Sequence, residues 1–234
     1  MGPNPLQLLE ELCGNLKLSA GMKVLDMGCG KGLTSVFLAK EFGVTVFAND
    51  LWIDPGENLG RFEAAGVSDR VFPIRAEAHA LPYAKGFFDA AIAIDSYHYF
   101  GADELYFPCT FSKFVKPGGQ FGIVVPGLMQ EFENGCPENL RPFWFGENVD
   151  GEMFSFHSAA WWRSLWEKTG IVNITSCRNI PAPKEIWYPW AHWGKAFGKE
   201  HFGHDFTGDD VEFLDADTEN QIALIALTAV KNSR

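Results

Sequence analysis

The sequence predicts an α/β fold in which a doubly wound, parallel sheet forms the core. Short apolar strands alternate with amphipathic helices from residue 5 to about residue 125, the pattern of right-handed crossover connections. The run KVLDMGCGKG at residues 23–32 also leads from a strand directly into a turn with three glycines and then into a helix. Units of this kind place ligand-binding residues at the carboxyl edge of a sheet.

Hydrophobic spacing and helix-ending residues assign the elements of the first half in order. They are helix 5–16, strand 23–28, helix 34–42, strand 44–50, helix 57–66, strand 71–78, a strand within 87–100, a helix near 103–115 and strand 120–127. Pro108 is expected to kink or delay the helix that contains it. KPGG at 116–119 predicts a turn in which the glycine after the proline takes a positive φ.

The pattern changes after residue 127. Residues 128–157 and 181–218 are long, aromatic and poorly periodic, so we expect two cap insertions rather than simple connections. Between them, a helix is predicted to begin after Ser158 and to end at Gly170. The single domain predicted in this way has its core at 5–127, 158–180 and 219–232, with its last two strands at 171–177 and 221–230.

Composition limits the partners of the protein. The 234 residues carry a formal net charge of −11 and an isoelectric point near 5.0, which disfavours nucleic acid and anionic membrane surfaces. The five cysteines are scattered and include no CxxC pair, so we expect reduced thiols, a cytoplasmic location and no metal centre. No apolar run approaches 18 residues, which argues against a membrane span.

The turn after the first strand indicates the kind of ligand. Gly28, Gly30 and Gly32 leave bare backbone at the carboxyl edge of a central strand. A nicotinamide dinucleotide site would need G-x-G-x-x-G, but position 33 is Leu33 and the third glycine arrives one residue early. Asp26 would repel a pyrophosphate and would attract a cationic group such as an ammonium or a sulfonium.

Two further acids end later strands. Asp50 closes VTVFAND, and an acid at the end of a second strand accepts hydrogen bonds from both hydroxyls of a ribose. Glu77 ends the third strand within RAEAHALPY, next along the same edge. Together with Asp26, these acids predict a positively charged nucleoside derivative as the ligand.

These motifs resemble those of class I S-adenosylmethionine-dependent methyltransferases. DMGCGKG, the strand-ending Asp50, EAHALPY, FFD before the fourth strand and KPGG before the fifth carry the resemblance, over roughly residues 5–127 and more loosely the final strands. DSYHYFGADELYF and FHSAAWWRSLWEKTG are similar to a bacterial branch that acts on small molecules. The resemblance implies a Rossmann-like sheet of seven strands with an antiparallel last strand, and S-adenosyl-L-methionine as cofactor.

The resemblance also implies residue roles. Asp26, with backbone of Gly28 and Gly30, would hold the amino-acid end of the cofactor, and Asp50 would bind the ribose. Leu51 and Trp52 would line the adenine pocket, and Glu77 with Ala78 would meet the adenine edge. Asp95 would face the methionine part and the substrate. Glu77 stands where the family more often has aspartate. The complete cofactor-binding set is Asp26, Gly28, Cys29, Gly30, Asp50, Leu51, Trp52, Glu77, Ala78 and Asp95.

Candidates for the chemistry follow the fourth strand. Tyr97, His98 and Tyr99 come shortly after Asp95 at the carboxyl edge. Methyl transfer from a sulfonium is an in-line displacement that mainly requires positioning and exclusion of water. His98 could in addition take a proton from the acceptor, since histidine titrates near neutrality. The alternative is that His98 and the tyrosines simply pack beneath the cap.

Aromatic residues are concentrated in two later segments. Trp161, Trp162 and Trp166 share the predicted helix, where packing against the sheet is favoured over ligand contact. IWYPWAHW at 186–193 either cages a flat or cationic substrate or packs within its insertion. HFGHD at 201–205 offers possible metal ligands, but polar loop residues are the favoured interpretation.

The predicted function is transfer of a methyl group from S-adenosyl-L-methionine to a nitrogen, oxygen or sulfur atom of a small molecule. A noncatalytic S-adenosylmethionine-binding module is the alternative, because a fold alone does not prove chemistry. An NAD(P)-dependent oxidoreductase is disfavoured by Leu33 and by Asp26 ahead of the turn.

Overall fold

Seven strands form one sheet in the computed structural model, which describes residues 2–146, 151–203 and 210–233. The strands are β1 (Lys23–Met27), β2 (Thr45–Asp50), β3 (Val71–Arg75), β4 (Phe88–Ile94), β5 (Val115–Leu128), β6 (Val172–Asn179) and β7 (Ile222–Lys231). Their order is β3-β2-β1-β4-β5-β7-β6, and β7 runs antiparallel to both of its neighbours. The expected Rossmann-like sheet of seven mostly parallel strands is confirmed.

Helices pack on both faces of this sheet. They are α1 (Pro5–Cys13), α2 (Leu33–Phe42), α3 (Pro55–Ala64), α4 (His98–Gly101), α5 (Tyr106–Cys109), α6 (Arg141–Phe145), α7 (Ala159–Glu167), α8 (Pro183–Phe202) and α9 (Asp210–Ala216). Single 3-10 turns lie at Phe111–Phe114 and Glu152–Ser155. None of these described helices combines the length and the apolarity needed to cross a bilayer.

The sheet separates two hydrophobic cores because successive strand residues point to opposite faces. On β1, Val24 belongs to the core formed with α1, α2 and α3, whereas the next residue, Leu25, belongs to the core formed with α5 and α7. The predicted start of α7 is confirmed, since Ser158 Oγ accepts a hydrogen bond from Trp161 N at 3.3 Å.

The region around the predicted fourth helix differs from expectation. Instead of one kinked helix, the chain forms the short α5, which contains Pro108, and then a 3-10 turn at Phe111–Phe114. KPGG does not form a separate turn ahead of the strand. It lies inside β5, where the pairing register with β4 shifts between Phe88 and Ala90. Gly118 has φ 75°, so the predicted positive φ after the proline is confirmed.

The second insertion is helical rather than irregular. α8 runs for 20 residues through Pro189, and α9 packs beside it. The buried face of α8 includes Ala191 and two glycines, Gly194 and Gly198, while the large aromatic Trp193 is exposed. Trp187 is also buried, but the small residues on the rest of this face weaken the apolar pattern by which a helix is predicted.

Candidate active site

The carboxyl ends of β1, β2 and β4 meet at one edge of the sheet, and the glycine turn lies there. Gly28 N and Cys29 N both donate to Asn49 O, at 2.8 and 3.1 Å. These bonds hold the turn against the end of β2. Cys29 is itself buried, and burial is the main cause that raises the pKa of its thiol.

The three glycines serve different purposes, although all have positive φ. A Cβ atom added to Gly28 would lie 2.4 Å from Ser96 Cβ, and one added to Gly32 would lie 2.3 Å from Phe62. A Cβ atom on Gly30 would meet no atom within 4 Å. Gly28 and Gly32 are therefore required for close packing. Gly30 faces open space on the side where a Cβ atom would lie, while its carbonyl accepts a hydrogen bond from Asn58 Nδ2 at 2.9 Å.

Asp26 lies beneath the turn and is 1% exposed. Its Oδ2 accepts hydrogen bonds from Thr34 Oγ1 at 2.7 Å and Ser35 Oγ at 2.5 Å, while Oδ1 is buried without a partner. Burial raises its pKa to about 6, against the lowering effect of the two hydroxyls, and the charge of Asp50 raises it further. A buried carboxylate with one unused oxygen fits a nearby cationic ligand.

Asp50 connects the turn to the end of β2. Its Oδ2 accepts from Gly30 N at 2.8 Å, and its Oδ1 accepts from Trp52 N and Ile53 N at 2.8 and 3.0 Å. Two carboxylate oxygens offer about four acceptor positions, so one remains for a ligand hydroxyl. The residue thus orients Gly30 as well as standing where a ribose was expected.

Two exposed aromatic side chains flank the opening above the turn. Trp52 follows β2 and is 75% exposed, and Tyr99 follows β4 and is 51% exposed. Their rings meet edge to face with centroids 6.0 Å apart. Because β1 lies between β2 and β4, this contact crosses the end of the strand that carries the glycines. Leu51, beside Trp52, is also exposed.

Glu77 and Ala78 lie at the β3 side of this edge. Glu77 bonds to its neighbour His79, and these contacts lower its pKa. Ala78 is buried, and its carbonyl accepts a hydrogen bond from Tyr106 Oη at 3.3 Å. Ala76, which precedes Glu77, donates its N–H to Asp50 O at 3.2 Å, which ties this segment to the end of β2.

A group of acids surrounds the end of β4. Asp95 has φ 53° and faces Glu152 of the first insertion and Asp210 of α9. Burial, and then the charges of Glu152 and Asp210, raise the pKa of Asp95 well above its ordinary value. Asp210 accepts a hydrogen bond from Trp187 Nε1 at 3.2 Å, and its pKa is raised mainly by burial. Both insertions therefore reach the carboxyl edge.

His98 is directed toward this acidic group. Its side chain is 1% exposed, and Nε2 lies 3.2 Å from Glu152 Oε1. Burial lowers its pKa from the ordinary value, against the raising effect of Glu152. The ring is therefore neutral at pH 7 and able to accept a proton.

Tyr97 is a correction to the predicted chemistry. It is fully buried among Tyr106, Phe111, Trp162 and Trp166, with its ring centroids 5.3 to 5.8 Å from theirs. A side chain enclosed in this way reaches no ligand, so only the other two of the three residues remain candidates. Tyr97 and Tyr99 lie two positions apart at the start of the helical α4, where such residues point in nearly opposite directions, so Tyr97 faces the core and Tyr99 faces solvent.

The tryptophans also divide into buried and exposed side chains. Trp162 and Trp166 are fully buried in the core, as favoured from the sequence. In α8, Trp187 is buried and bonded to Asp210, whereas Trp193 is 55% exposed. His204 and Asp205 of the HFGHD segment lie outside the described residues, and the residues that are described contain no group of three metal-ligating side chains.

Sequence reasoning missed several residues that shape the site. Thr34 and Ser35 hold Asp26, and they carry no signal beyond their place in the helix after the glycines. Glu152 and Asp210 lie in the insertions, where no spacing relates them to Asp95. Only three-dimensional proximity identifies these two acids as neighbours of the β4 end.

Comparison with known proteins points to one enzyme class. A family model described as a methyltransferase domain matches residues 24–119. The methyltransferase GfsG of Streptomyces halstedii is 35% identical over 139 residues, which are 57% of this chain and 49% of that protein. The sterol 24-C-methyltransferase of Yarrowia lipolytica is 28% identical over 144 residues, which are 60% of this chain and 37% of that protein.

Solved structures share the whole fold. The phosphoethanolamine N-methyltransferase 2 of Haemonchus contortus, solved with S-adenosyl-L-methionine, has a TM-score of 0.74 at 20% identity and covers 99% of this chain and 54% of its own. At this identity the likeness establishes the fold. The matches with the two curated relatives span about half or less of the length of those proteins.

Proposed function

We propose that this chain is a class I S-adenosylmethionine-dependent methyltransferase and that it moves a methyl group from S-adenosyl-L-methionine to a small molecule. The acceptor atom in this proposal is nitrogen, oxygen or sulfur. The observation that carries the proposal is the open space over Gly30, whose N–H is held by the carboxylate of Asp50, in a turn that lies above the buried carboxylate of Asp26. These groups fit a cationic nucleoside derivative.

The fit extends along the carboxyl edge. Asp26 offers Oδ1 near the turn, and Asp50 has acceptor capacity left for a ribose hydroxyl. Leu51, Trp52 and Ala78 supply apolar surface for an adenine at the β2 and β3 side. We assign the full predicted set to the cofactor on this basis, with Asp95 at the end of the site nearest the acceptor.

The residues of the chain mainly position and enclose the reactants. Bound at this edge, S-adenosyl-L-methionine supplies a methyl group activated by a sulfonium. Glu152 and Asp210 come from the two insertions and act on Asp95 at the end of β4, and in this proposal the insertions limit access of water to the reacting groups. His98, neutral and hydrogen-bonded to Glu152, is placed to accept a proton from the acceptor, and exposed Tyr99 lines the approach.

The rival functions predict different ligands. A noncatalytic binding module would bind S-adenosyl-L-methionine without consuming it, and an NAD(P)-dependent oxidoreductase would bind the reduced nicotinamide cofactor. Relatives include a sterol 24-C-methyltransferase, so a carbon acceptor is a further alternative for this chain. The free cysteines of the described residues are compatible with the cytoplasmic location that we also propose.

Transfer of a labelled methyl group tests the proposal. The protein is incubated with S-adenosyl-L-methionine carrying a tritiated methyl group and with fractionated small-molecule extracts. We expect label in a small product and release of S-adenosylhomocysteine, with no such product from heat-denatured protein. Binding without turnover in every fraction would favour the sensing module, and binding of NADH in place of S-adenosyl-L-methionine would reject the methyltransferase.

A further inference from the structure

The two ring nitrogens of His98 have different surroundings. The residue begins α4, and its side chain is 1% exposed. Its Nε2 lies 3.2 Å from Oε1 of Glu152, which belongs to the 3-10 turn of the first insertion. Its Nδ1 is also buried but has no hydrogen-bond partner among the residues that the structure describes. One nitrogen is therefore bonded to a carboxylate, and the other is left with its hydrogen-bonding position unused.

The carboxylate decides which nitrogen carries the hydrogen. An ionised carboxylate only accepts hydrogen bonds, so Nε2 is the donor in the contact with Glu152. A neutral imidazole has a single N–H, and burial favours the neutral ring because it lowers the pKa of His98. Nδ1 therefore carries the lone pair. A buried nitrogen of this kind is costly unless a bound molecule donates a hydrogen bond to it.

Neighbouring rings hold the imidazole in this orientation. Tyr99 lies beside it with ring centroids 4.2 Å apart and planes tilted by 36°, and Phe156 meets it edge to face at 5.9 Å. Glu152 and Phe156 both belong to the first insertion. Turning the ring by half a turn would break the contact between Nε2 and Glu152. The first insertion thus sets the orientation of the ring as well as the place of its hydrogen.

The segment that carries His98 also contacts the glycine turn. Ser96, two residues earlier, donates from Oγ to Met27 O at 2.7 Å, and its side chain leaves no room for a Cβ atom on Gly28. The next residue after His98, Tyr99, contacts Trp52 across the end of β1. His98 therefore lies on a segment that packs directly against the turn where the cofactor is proposed to bind.

We propose, building on the methyl transfer proposed above, that Glu152 is a positioning residue that keeps the hydrogen on Nε2 of His98, so that Nδ1 takes the proton of the acceptor. Because Nδ1 needs a hydrogen-bond donor, the acceptor atom that is methylated carries a hydrogen. This selects hydroxyl, thiol and N–H groups, including protonated amines. It disfavours a carbon acceptor, since a C–H group is a weak donor.

The proposed step conserves atoms and charge. The proton of the acceptor passes to Nδ1 of His98, and the electron pair of the broken bond stays on the acceptor atom. This atom forms a bond to the methyl carbon as the bond from sulfur to that carbon breaks, and sulfur keeps the electron pair. The imidazolium ion has a hydrogen on each nitrogen and is stabilised by the charge of Glu152. Loss of the proton to water restores the neutral ring.

The groups around α4 assign this role to Glu152. The helix packs against the 3-10 turn that carries Glu152 and against α5. Burial lowers the pKa of His98, and the hydrogen bond and charge of Glu152 raise it. Tyr106 of α5 is uncharged, because burial raises the pKa of its hydroxyl group. Asp95 and Asp210 interact with Glu152 and with each other, and burial raises the pKa of both.

NMR of the ring nitrogens tests the place of the hydrogen without any acceptor. The full-length protein is prepared with isotope-labelled histidine, and the signals of His98 are those missing from the spectrum of His98→Gln. At pH 7.5, with and without S-adenosylhomocysteine, we expect hydrogen on Nε2 and none on Nδ1. On acidification the second proton should appear on Nδ1. A hydrogen on Nδ1 at pH 7.5, with Nε2 unprotonated, would overturn the proposal.

Glu152→Gln tests the positioning role. The amide oxygen can accept the same hydrogen bond but carries no charge, so the pKa of His98 in NMR titrations should fall below that of wild type. With the acceptor that takes up label in the transfer assay, kcat should fall at least about tenfold, and its acid limb should move to lower pH. A residue that only supported the fold would not move the pKa of His98 or this limb.

Glu131→Gln is the matched control. Glu131 lies in the same insertion and also contacts a histidine, since its Oε2 is 3.1 Å from Nδ1 of His157. Its substitution should leave the pKa of His98 and the acid limb of kcat unchanged. An unchanged pKa of His98 in Glu152→Gln, or an equal fall in Glu131→Gln, would contradict the assignment.

The outcomes separate this proposal from the one on which it rests. If the protein binds neither S-adenosyl-L-methionine nor S-adenosylhomocysteine, the methyltransferase itself is wrong and this proposal fails with it. If label enters a hydroxyl, thiol or N–H group and the acid limb moves in Glu152→Gln, the proposal is supported. If label enters only carbon, or if the acid limb of Glu152→Gln coincides with that of wild type, methyl transfer stands and the role of Nδ1 is wrong.

Discussion

Buried carboxylates define the site at the scale of single residues. Asp26 and Asp95 both have pKa values raised first by burial, but their neighbours differ. Asp26 is held by two hydroxyl groups of α2, whereas Asp95 faces two further acids from the insertions. The first arrangement fixes one carboxylate beside the turn, and the second brings an acidic residue of each insertion to the end of β4.

Asp26 should make the stability of the free protein depend on pH. Its pKa is about 6 in the folded protein against an ordinary 3.8, so the folded state binds the proton more tightly. Its contribution is complete below about pH 4 and is lost as the pH rises through 6. One unit of pKa difference corresponds to about 1.4 kcal/mol, so the free energy of unfolding should fall by on the order of 3 kcal/mol over this range.

Urea unfolding of Asp26→Asn and wild type between pH 4.5 and 7.5 measures this contribution. Wild type should lose stability relative to the variant as the pH rises, and Asp103→Asn, at an exposed position, is the control for removing one surface carboxylate. Parallel pH profiles for wild type and Asp26→Asn would show that the carboxyl group titrates normally.

His98 should act on turnover rather than on cofactor affinity. Because burial lowers its pKa, the base is already neutral above pH 6.5 and kcat should fall only on the acid side. His98→Gln should lower kcat by about 10²-fold or more and remove that acid limb, while the Kd for S-adenosyl-L-methionine changes little. Steady-state kinetics measure both effects, and His192→Gln, on the exposed side of α8, is the control. If His98 only packs beneath the insertions, its substitution would weaken cofactor binding and turnover together.

The decisive element is the turn between β1 and α2. Its bonds to Asn49 O hold it to β2, and Ser96 and Phe62 pack against two of its glycines. The turn is thus built by three neighbouring elements and exposes one stretch of backbone between them. Glycines also allow close packing in α8, where Gly194 and Gly198 lie on the buried face of the helix.

Alanine substitutions should separate folding from binding in this turn. Gly28→Ala combines a left-handed φ with a clash against Ser96, so we expect a loss of about 3 kcal/mol in stability. Gly30→Ala meets no neighbour and should cost only about 1 kcal/mol, but its methyl group enters the open space and should weaken S-adenosylhomocysteine binding at least about tenfold. Thermal unfolding and calorimetry measure both, and unchanged affinity in Gly30→Ala would exclude the turn as the binding surface.

At the scale of the whole molecule, the two insertions complete a site that the sheet begins. The sheet edge supplies Asp26, Asp50 and Asp95, and the insertions add Glu152 and Asp210 on the open side. In the function proposed above, the cofactor is assigned to the sheet edge and the acceptor to the side of the insertions. This division agrees with a family model that matches residues 24–119 and ends before either insertion.

The alternating strands and helices, the glycine turn and the acids near the ends of β1 and β2 are local features, so the amino-acid order alone was enough to predict the sheet and the edge at which the turn and these acids lie. Spacing could not predict the enclosure of Tyr97, the helical form of α8 or the meeting of Asp95 with Glu152 and Asp210. These depend on contacts between segments far apart in the chain, and a periodicity search records only the neighbours of each residue along it. Packing therefore decided which side chains surround the end of β4, because burial and charge are properties of a three-dimensional neighbourhood.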